Sequence, residues 1–398
     1  MAATETGVWG LQDVRDKQLA SEWSYSATGD AGALFSMGYN NGGDLGQNNR
    51  TKYSSPVQIP GSWKDVGGVK SDGTLWSWGY NGIGALGLND LTHRSSPTQI
   101  GSDTTWYEAY GLIDNANTEK EGLAIKTNGT LWAWGWNFHG NLGLNDAGSP
   151  GPSSNQRQNS RSSPTQVGSG TDWLTPGHNK FGWSANYQSI SVVKADGTLW
   201  GWGMNWMGTL GLNSETYYSS PVQVPGTTWK SISRGMRVGM AGTKTDGTLW
   251  VWGYNEYGQL GQNNKTQYSS PTQIPGTTWH IANGTFGTVG ATKTDGTLWA
   301  WGYNLQGQLG QGGVIPGHTK MSSPVQVGTS TNWSRPVQLG QNAMGAMKTD
   351  NTLWVWGEGA GGMLGQNSIA DEQEPVQIPG SGINIRGDGS VTHIIKEA

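Results

Sequence analysis

Thr294-Asp-Gly-Thr-Leu-Trp-Ala-Trp-Gly-Tyr-Asn-Leu-Gln-Gly-Gln-Leu-Gly310 decides the fold. Nearly the same words recur at Ser71–Gly87, Thr127–Gly143, Ala195–Gly211 and Thr245–Gly261, and in weaker form at Thr349–Gly365. A degenerate copy runs from Gly32 to Gly46, with Phe35 and Met37 in place of the two Trp. Self-similarity at a long period is the signature of a repeat architecture. Within one copy, Asp295-Gly296 has the composition of a tight turn, because Gly accepts positive φ and Asp tolerates it. Thr297 to Trp301 then alternate as a strand, with Trp299 and Trp301 on one face and Leu298 and Ala300 on the other. Gly290 to Lys293 is a short strand of small residues upstream. Ser322 to Val327 is an outer strand whose Pro suits an unpaired edge. Each unit is thus a small antiparallel sheet of about four strands, which must stack on neighbours to bury its faces.

Composition agrees. Gly is 65 of 398 residues, but it is locked to fixed repeat positions beside 23 Trp, which is turn chemistry in a folded chain. The absence of Cys removes disulfides and thiolate metal sites. Net charge is −4 with both signs dispersed, which argues against a nucleic-acid or anionic-membrane footprint. No apolar run approaches the ~20 residues that span a bilayer, so membrane insertion is not expected. The N-terminus has no basic or apolar region typical of a signal peptide.

Residues 1–28 match no repeat and are read as an N-terminal docking arm, with residues 29–398 as one propeller. Trp9 and Trp23 bracket a mixed-charge centre, and Trp9, Leu11, Val14, Leu19 and Trp23 are the candidate partner contacts. The C-terminal Gly389–Lys396 resembles the strand that precedes each Asp-Gly turn, yet no turn copy follows it. The first copy lacks a preceding strand of that kind. A ring closed by the C-terminal strand solves both problems and removes two unpaired edges. The expectation is therefore an all-β, seven-bladed β-propeller closed by the C-terminal strand, with a non-propeller N-terminal arm.

The Asp-Gly-Thr-Leu-Trp-x-Trp-Gly-x-Asn-x-x-Gly-x-Leu-Gly runs, followed by Ser-Ser-Pro-x-Gln-Val/Ile, resemble the regulator of chromosome condensation repeat family over roughly Gly32 to Lys396. The Trp-rich spelling is similar to that family's bacterial and phage branch. The resemblance implies a seven-bladed propeller that binds protein partners. Its members include a nucleotide exchange factor, a plant ultraviolet photoreceptor and secreted bacterial β-lactamase inhibitors, so the fold does not decide function. Residues 2–23 are similar to N-terminal segments of marine phage virion structural proteins.

No catalytic constellation appears. The paired Trp recur once per unit and read as inter-blade packing. Asp72, Asp196, Asp246, Asp295 and Asp350 sit in tight turns, where side-chain hydrogen bonds to the backbone account for them. His93, His139, His178, His280, His318 and His393 fall at non-equivalent positions without ligand spacing. No phosphate loop or nucleophile elbow is present. The chain is therefore expected to be no enzyme and to need no cofactor or metal.

One position varies while its surroundings hold. The residue before Ser-Ser-Pro is Tyr53, Arg94, Arg161, Tyr218, Tyr268 and Met321 in successive units, all of them interface-enriched types. They form a candidate partner-binding rim. The functional expectation is a phage virion display protein, a capsid decoration or tail-fibre propeller located in the virion. Its partners would be capsid or tail proteins, copies of itself or a host-surface ligand. The alternative is a secreted, extracellular bacterial inhibitor or adhesin.

Overall fold

An Asp-Gly turn followed by alternating apolar residues builds the same hairpin in unit after unit. The computed structural model describes residues 32–66, 68–110, 121–146, 159–173, 181–184, 189–233, 239–312, 320–381, 384–387 and 391–396. In the sixth unit the strands Trp279–Gly284, Thr288–Lys293, Leu298–Tyr303 and Lys320–Gln326 pair antiparallel in sequence order. The inner strand, opened by Trp279, is the fourth member that the sequence reading counted but did not place.

Local chemistry fixes the hairpin. Gly296 has φ 78° and donates its N–H to the Lys293 carbonyl at 3.0 Å. A Cβ at this position would lie 1.9 Å from the Thr331 carbonyl oxygen, so the neighbouring chain leaves room only for Gly. The Asp295 carboxylate accepts from the Thr297 N–H at 3.0 Å and from its hydroxyl at 2.7 Å. Asn351, which replaces this Gly in the seventh unit, has φ 63°.

The strand's two faces serve two neighbours. Trp301 packs with Ala241, Leu249 and Val251 of the fifth unit, while Leu298 and Ala300 pack with Met344, Ala346 and Trp356 of the seventh. Burial on both faces explains why the strand is apolar throughout.

Closure joins the two ends of the chain. Gly32–Gly38 lies between Tyr53–Trp63 and Val391–Lys396, in register from Ala33↔Lys396 to Gly38↔Val391, and Asn384–Gly387 completes that sheet. Backbone bonds then link successive units around the ring. The N–H groups of Asn48, Asn89, Asn145, Asn213 and Asn263 donate to the carbonyls of Ser95, Ser162, Ser219, Ser269 and Ser322 at 2.7–2.8 Å. Gly312 donates to Gln373 at 3.0 Å, and Asn367 returns to Ser54 of the first unit at 3.0 Å. The six Asn hold φ between 53° and 59°, a left-handed conformation that Asn tolerates better than most residues.

The expectation of a seven-bladed propeller is corrected. Among the described residues six units form four-stranded sheets, and the second repeat forms a two-stranded sheet, Trp76–Gly79 with Arg94–Gln99, in place of a seventh blade. Among the described residues only the isolated bridges Trp63↔Lys70 and Val69↔Leu75 extend it inward. The cause is length. Trp63 and its partner Lys70 are about seven residues apart, whereas Trp279 and Lys293 are about fourteen apart, so the inner hairpin is halved. Asp65 substitutes for part of the missing ladder, its carboxylate accepting from the N–H of Val69 and of Ala109 in the next unit, both at 2.9 Å. The arm residues Trp9, Leu11, Val14, Leu19 and Trp23 lie outside the described residues.

Candidate interaction face

The two ends of the ring differ in kind. The end that carries the Asp-Gly turns repeats itself almost unchanged. There a Lys precedes each turn and its ammonium rests on two indole rings, one from the inner strand and one from the hairpin. Lys293 Nζ lies 4.8 Å from the Trp279 ring centre and 4.0 Å from Trp299. Lys70, Lys126, Lys194, Lys244 and Lys348 make the equivalent pairs of contacts at 3.5–5.1 Å. The sequence reading missed these lysines, although their fixed place before each turn was the signal. The first unit departs from the pattern. Lys396 lies 5.4 Å from the Phe35 ring and donates to the Pro379 carbonyl at 2.8 Å. Burial pulls its pKa down to about 8.

The paired Trp divide their work. The first of each pair donates within its own unit, as Trp299 Nε1 does to Thr297 Oγ1 at 2.9 Å. The second crosses to the preceding unit. Trp78, Trp134, Trp202, Trp252, Trp301 and Trp356 donate to the carbonyls of Asp44, Ala85, Asn141, Thr209, Gln259 and Gln308 at 2.8–3.0 Å. At the seam, where Met37 replaces Trp, Thr392 of the C-terminal strand donates its hydroxyl to the Met363 carbonyl at 2.9 Å. The turn aspartates Asp72, Asp196, Asp246, Asp295 and Asp350 have pKa values lowered chiefly by hydrogen bonds from the Thr two residues on.

The opposite end is built on a buried Asn in each of the first six units. Asn255 Oδ1 accepts from the Leu260 N–H at 2.9 Å, while its Nδ2 donates to the Asn264 and Thr266 carbonyls at 3.1 and 2.8 Å. The rim residues stand beside these loops. Tyr53, Arg94, Arg161, Tyr218, Tyr268 and Met321 are half-buried, each paired across the ladder with the Gly that ends the preceding strand. Their side chains follow the residue nine places after the loop Asn. Where that residue is Asn, a Tyr hydroxyl accepts from it: Asn49 to Tyr53 and Asn264 to Tyr268, both at 3.1 Å. Where it is Asp, an Arg pairs with it: Asp90 with Arg94 at 2.5 Å, and Asp146 with Arg161. Tyr218 and Met321 pack against hydrophobic clusters. The structure thus gives an internal partner to most of a variation that the sequence alone presents as surface choice. Glu372 completes the series opposite Gly357, hidden from the sequence reading because Gln-Glu-Pro replaces Ser-Ser-Pro there.

An aromatic residue precedes the loop Asn in five units, as Tyr39, Tyr80, Trp136, Tyr254 and Tyr303, and further rings at variable positions gather on the last three. Trp136 stacks on Phe138 at 5.7 Å, Phe138 meets His139 edge-on at 4.8 Å, and His139 meets Tyr217 of the next unit at 5.2 Å. Burial among these rings lowers the His139 pKa. Trp206 lies parallel to Tyr254 at 6.3 Å. Tyr257 then gathers Tyr254, Tyr303 and Phe286 at 6.1, 5.0 and 6.3 Å. All these rings except buried Trp136 and exposed Tyr217 are half-buried, and Leu305 beside them is 51% exposed. Among the described residues no group of three or more His, Cys, Asp or Glu is placed to hold a metal ion. No helix of the described residues is long and apolar enough to cross a membrane.

These features define a class: a repeat β-propeller with one uniform end and one aromatic end. The regulator of chromosome condensation (RCC1) repeat model matches residues 72–106, 196–241, 246–289 and 295–343, and the chain is similar to that repeat there. Similar solved structures include human WBSCR16, with 16% identity and a TM-score of 0.72 over 92% of this chain and 100% of that one. Prp20p from Saccharomyces cerevisiae, described with its binding to Gsp1p and histones, has 16% identity and a TM-score of 0.73 over 96% of this chain and 95% of that one. Yeast RCC1 (Prp20) bound to Kap60 has 17% identity and a TM-score of 0.70 over 94% and 95%. At these identities the likeness is one of fold. Among curated proteins, none matches the chain by sequence.

Proposed function

We propose that this chain is a non-catalytic, protein-binding propeller whose aromatic end is the interface. The observation that carries this reading is the asymmetry between the ends. Repetition explains the Lys–Trp end, because six of the units use it to hold their hairpins. Repetition does not explain Phe138, His139, Trp206, Tyr217, Tyr257 and Phe286, which occupy loop positions that vary from unit to unit and keep part of their surface in water. Partly exposed aromatic groups flanked by polar residues are the composition of binding surfaces. The rim residues Tyr53, Arg94, Arg161, Tyr218, Tyr268 and Met321 border that face and would flank a partner. The RCC1-repeat fold supports the reading by analogy, since Prp20p is described with protein partners.

In its sharper form the reading is a virion display protein. Residues 1–28 would dock it to a capsid or tail protein, and the aromatic end would face outward. Support for this form comes from the likeness of residues 2–23 to phage virion segments. Particle fractionation tests it. Co-sedimentation of the full chain with purified virions is expected, and loss of a partner on Phe138→Ser or Tyr257→Leu substitution is expected for the interface. Free protein in the culture medium would instead favour the secreted inhibitor or adhesin.

A further inference from the structure

The ring cluster around Tyr257 has a feature that the other aromatic contacts lack. Lys320 reaches across from the sixth unit and sets its ammonium 4.7 Å from the Tyr257 ring centre, in the fifth. Tyr303 and Tyr254 stand at 53° and 85° to Tyr257, so the rings form walls rather than a stack. Phe286 adds a third side at 38°. Glu256, the residue before Tyr257, is exposed. Among the described residues, the ion pairs include neither Glu256 nor Lys320. Ring faces are the chemistry that holds an ammonium or guanidinium group.

The repeat supplies a comparison. The residue before the rim position places a basic side chain on a loop-end ring in two other units, Lys52 on Tyr39 at 4.1 Å and His93 on Tyr80 at 4.5 Å. Those contacts are each one base on one ring of the same unit. Lys320 instead crosses a unit boundary into a cluster of several half-buried rings, whereas Lys64, which also crosses one, meets the single ring of Tyr107 at 3.9 Å.

We infer that Tyr254, Tyr257, Tyr303 and Phe286 form a seat for a Lys or Arg side chain of the protein partner, with Lys320 as its resident occupant in the free chain. This rests on the aromatic end being the interface, and adds that the partner segment is basic. A seat already occupied binds an incoming cation more weakly by the fraction of time it is filled. Removing the occupant therefore strengthens binding.

The test uses the full chain and three small probes: Nα-acetyl-lysine N-methylamide, the arginine analogue, and the uncharged norleucine analogue. The readout is the tyrosine ring NMR signals. The charged probes are expected to shift Tyr257 and Tyr303 saturably, and the norleucine probe is not. Lys320→Met, which keeps an unbranched apolar stem and removes the ammonium, is expected to tighten charged-probe binding roughly two- to fivefold, the scale of one exposed cation–ring contact. Tyr257→Leu abolishes the response at Tyr303 while leaving the denaturation midpoint close to that of the parent. Equal responses to charged and uncharged probes, or an unchanged affinity in Lys320→Met, overturn the cation seat. If the probes fail while Tyr257→Leu still weakens partner association, the seat is wrong and the interface stands. If Tyr257→Leu leaves partner association intact, it is the interface reading that fails.

Discussion

Trp301 shows how much of the ring rests on one atom. Its indole N–H crosses a unit boundary to the Gln259 carbonyl at 2.8 Å, in a site sealed from water. Trp301→Phe keeps most of the apolar contact and removes the donor, stranding a buried carbonyl at a cost of about 1–3 kcal/mol. Trp299→Phe removes a bond to a neighbouring hydroxyl at a half-buried position, where water can replace it, and is expected to cost less. Urea denaturation of both variants checks the order, and equal midpoints would mean that the inter-unit bond carries no special weight. Lys396 gives a pH dependence of definite sign. Its folded pKa of about 8 lies below the ordinary value of 10.5, so the unfolded chain binds more protons between those values. The cost of burying the charge, on the order of 3 kcal/mol, is fully present below about pH 8 and is relieved as pH rises toward 10.5. Lys396→Met is thus expected to gain least over the parent at pH 10, and most at pH 7 once the lost bond to Pro379 is allowed for. A stability difference that is flat between pH 7 and 10 would contradict this.

At the level of the element, the second unit is the weak member. Its inner hairpin has two isolated bridges where its neighbours have full ladders. Few ladder bonds mean a low free energy of local opening. Amide exchange is therefore expected to be faster in Val69–Leu75 than in Thr288–Lys293 and Leu298–Tyr303, and equal protection would show that Asp65 fully replaces the ladder. The same element marks how far the sequence could be read. The hairpins were legible because Asp-Gly, the alternation and the period all agree. The truncation was legible in principle, since Trp63 stands only about seven residues before Lys70, but period matching sees that the words are present and not how much chain joins them. The Lys–Trp contacts were equally available in the fixed lysines. The aromatic end was not, because His139 meets Tyr217 and Lys320 meets Tyr257 across unit boundaries that no spacing in one copy encodes. The rim was legible as variation, but its meaning lay in loop partners outside the repeated words, such as Asn49 for Tyr53 and Asp146 for Arg161.

For the whole molecule, the question is what residues 1–28 do beside a ring whose first sheet is shared by both ends of the repeat region. Among the described residues that sheet takes its strands from Gly32–Gly38, Tyr53–Trp63, Asn384–Gly387 and Val391–Lys396. Thr392 bonds Met363 and Asn367 bonds Ser54 across the seam. A segment that matches no repeat and keeps Trp9 and Trp23 around a charged centre is suited to attachment elsewhere. Buried Trp at an interface is worth on the order of 2 kcal/mol or more when it acts as a hot spot, and a segment that orders on docking leaves the ring free to project. Deleting residues 1–28 is therefore expected to leave the melting transition of the ring nearly unchanged and to abolish association with particles. Trp9→Ala with Trp23→Ala in the full chain should reproduce the loss of association. If the shortened ring still sediments with virions at full occupancy, the arm is not the anchor. If it unfolds, the first sheet depends on the arm and the closure described above is incomplete.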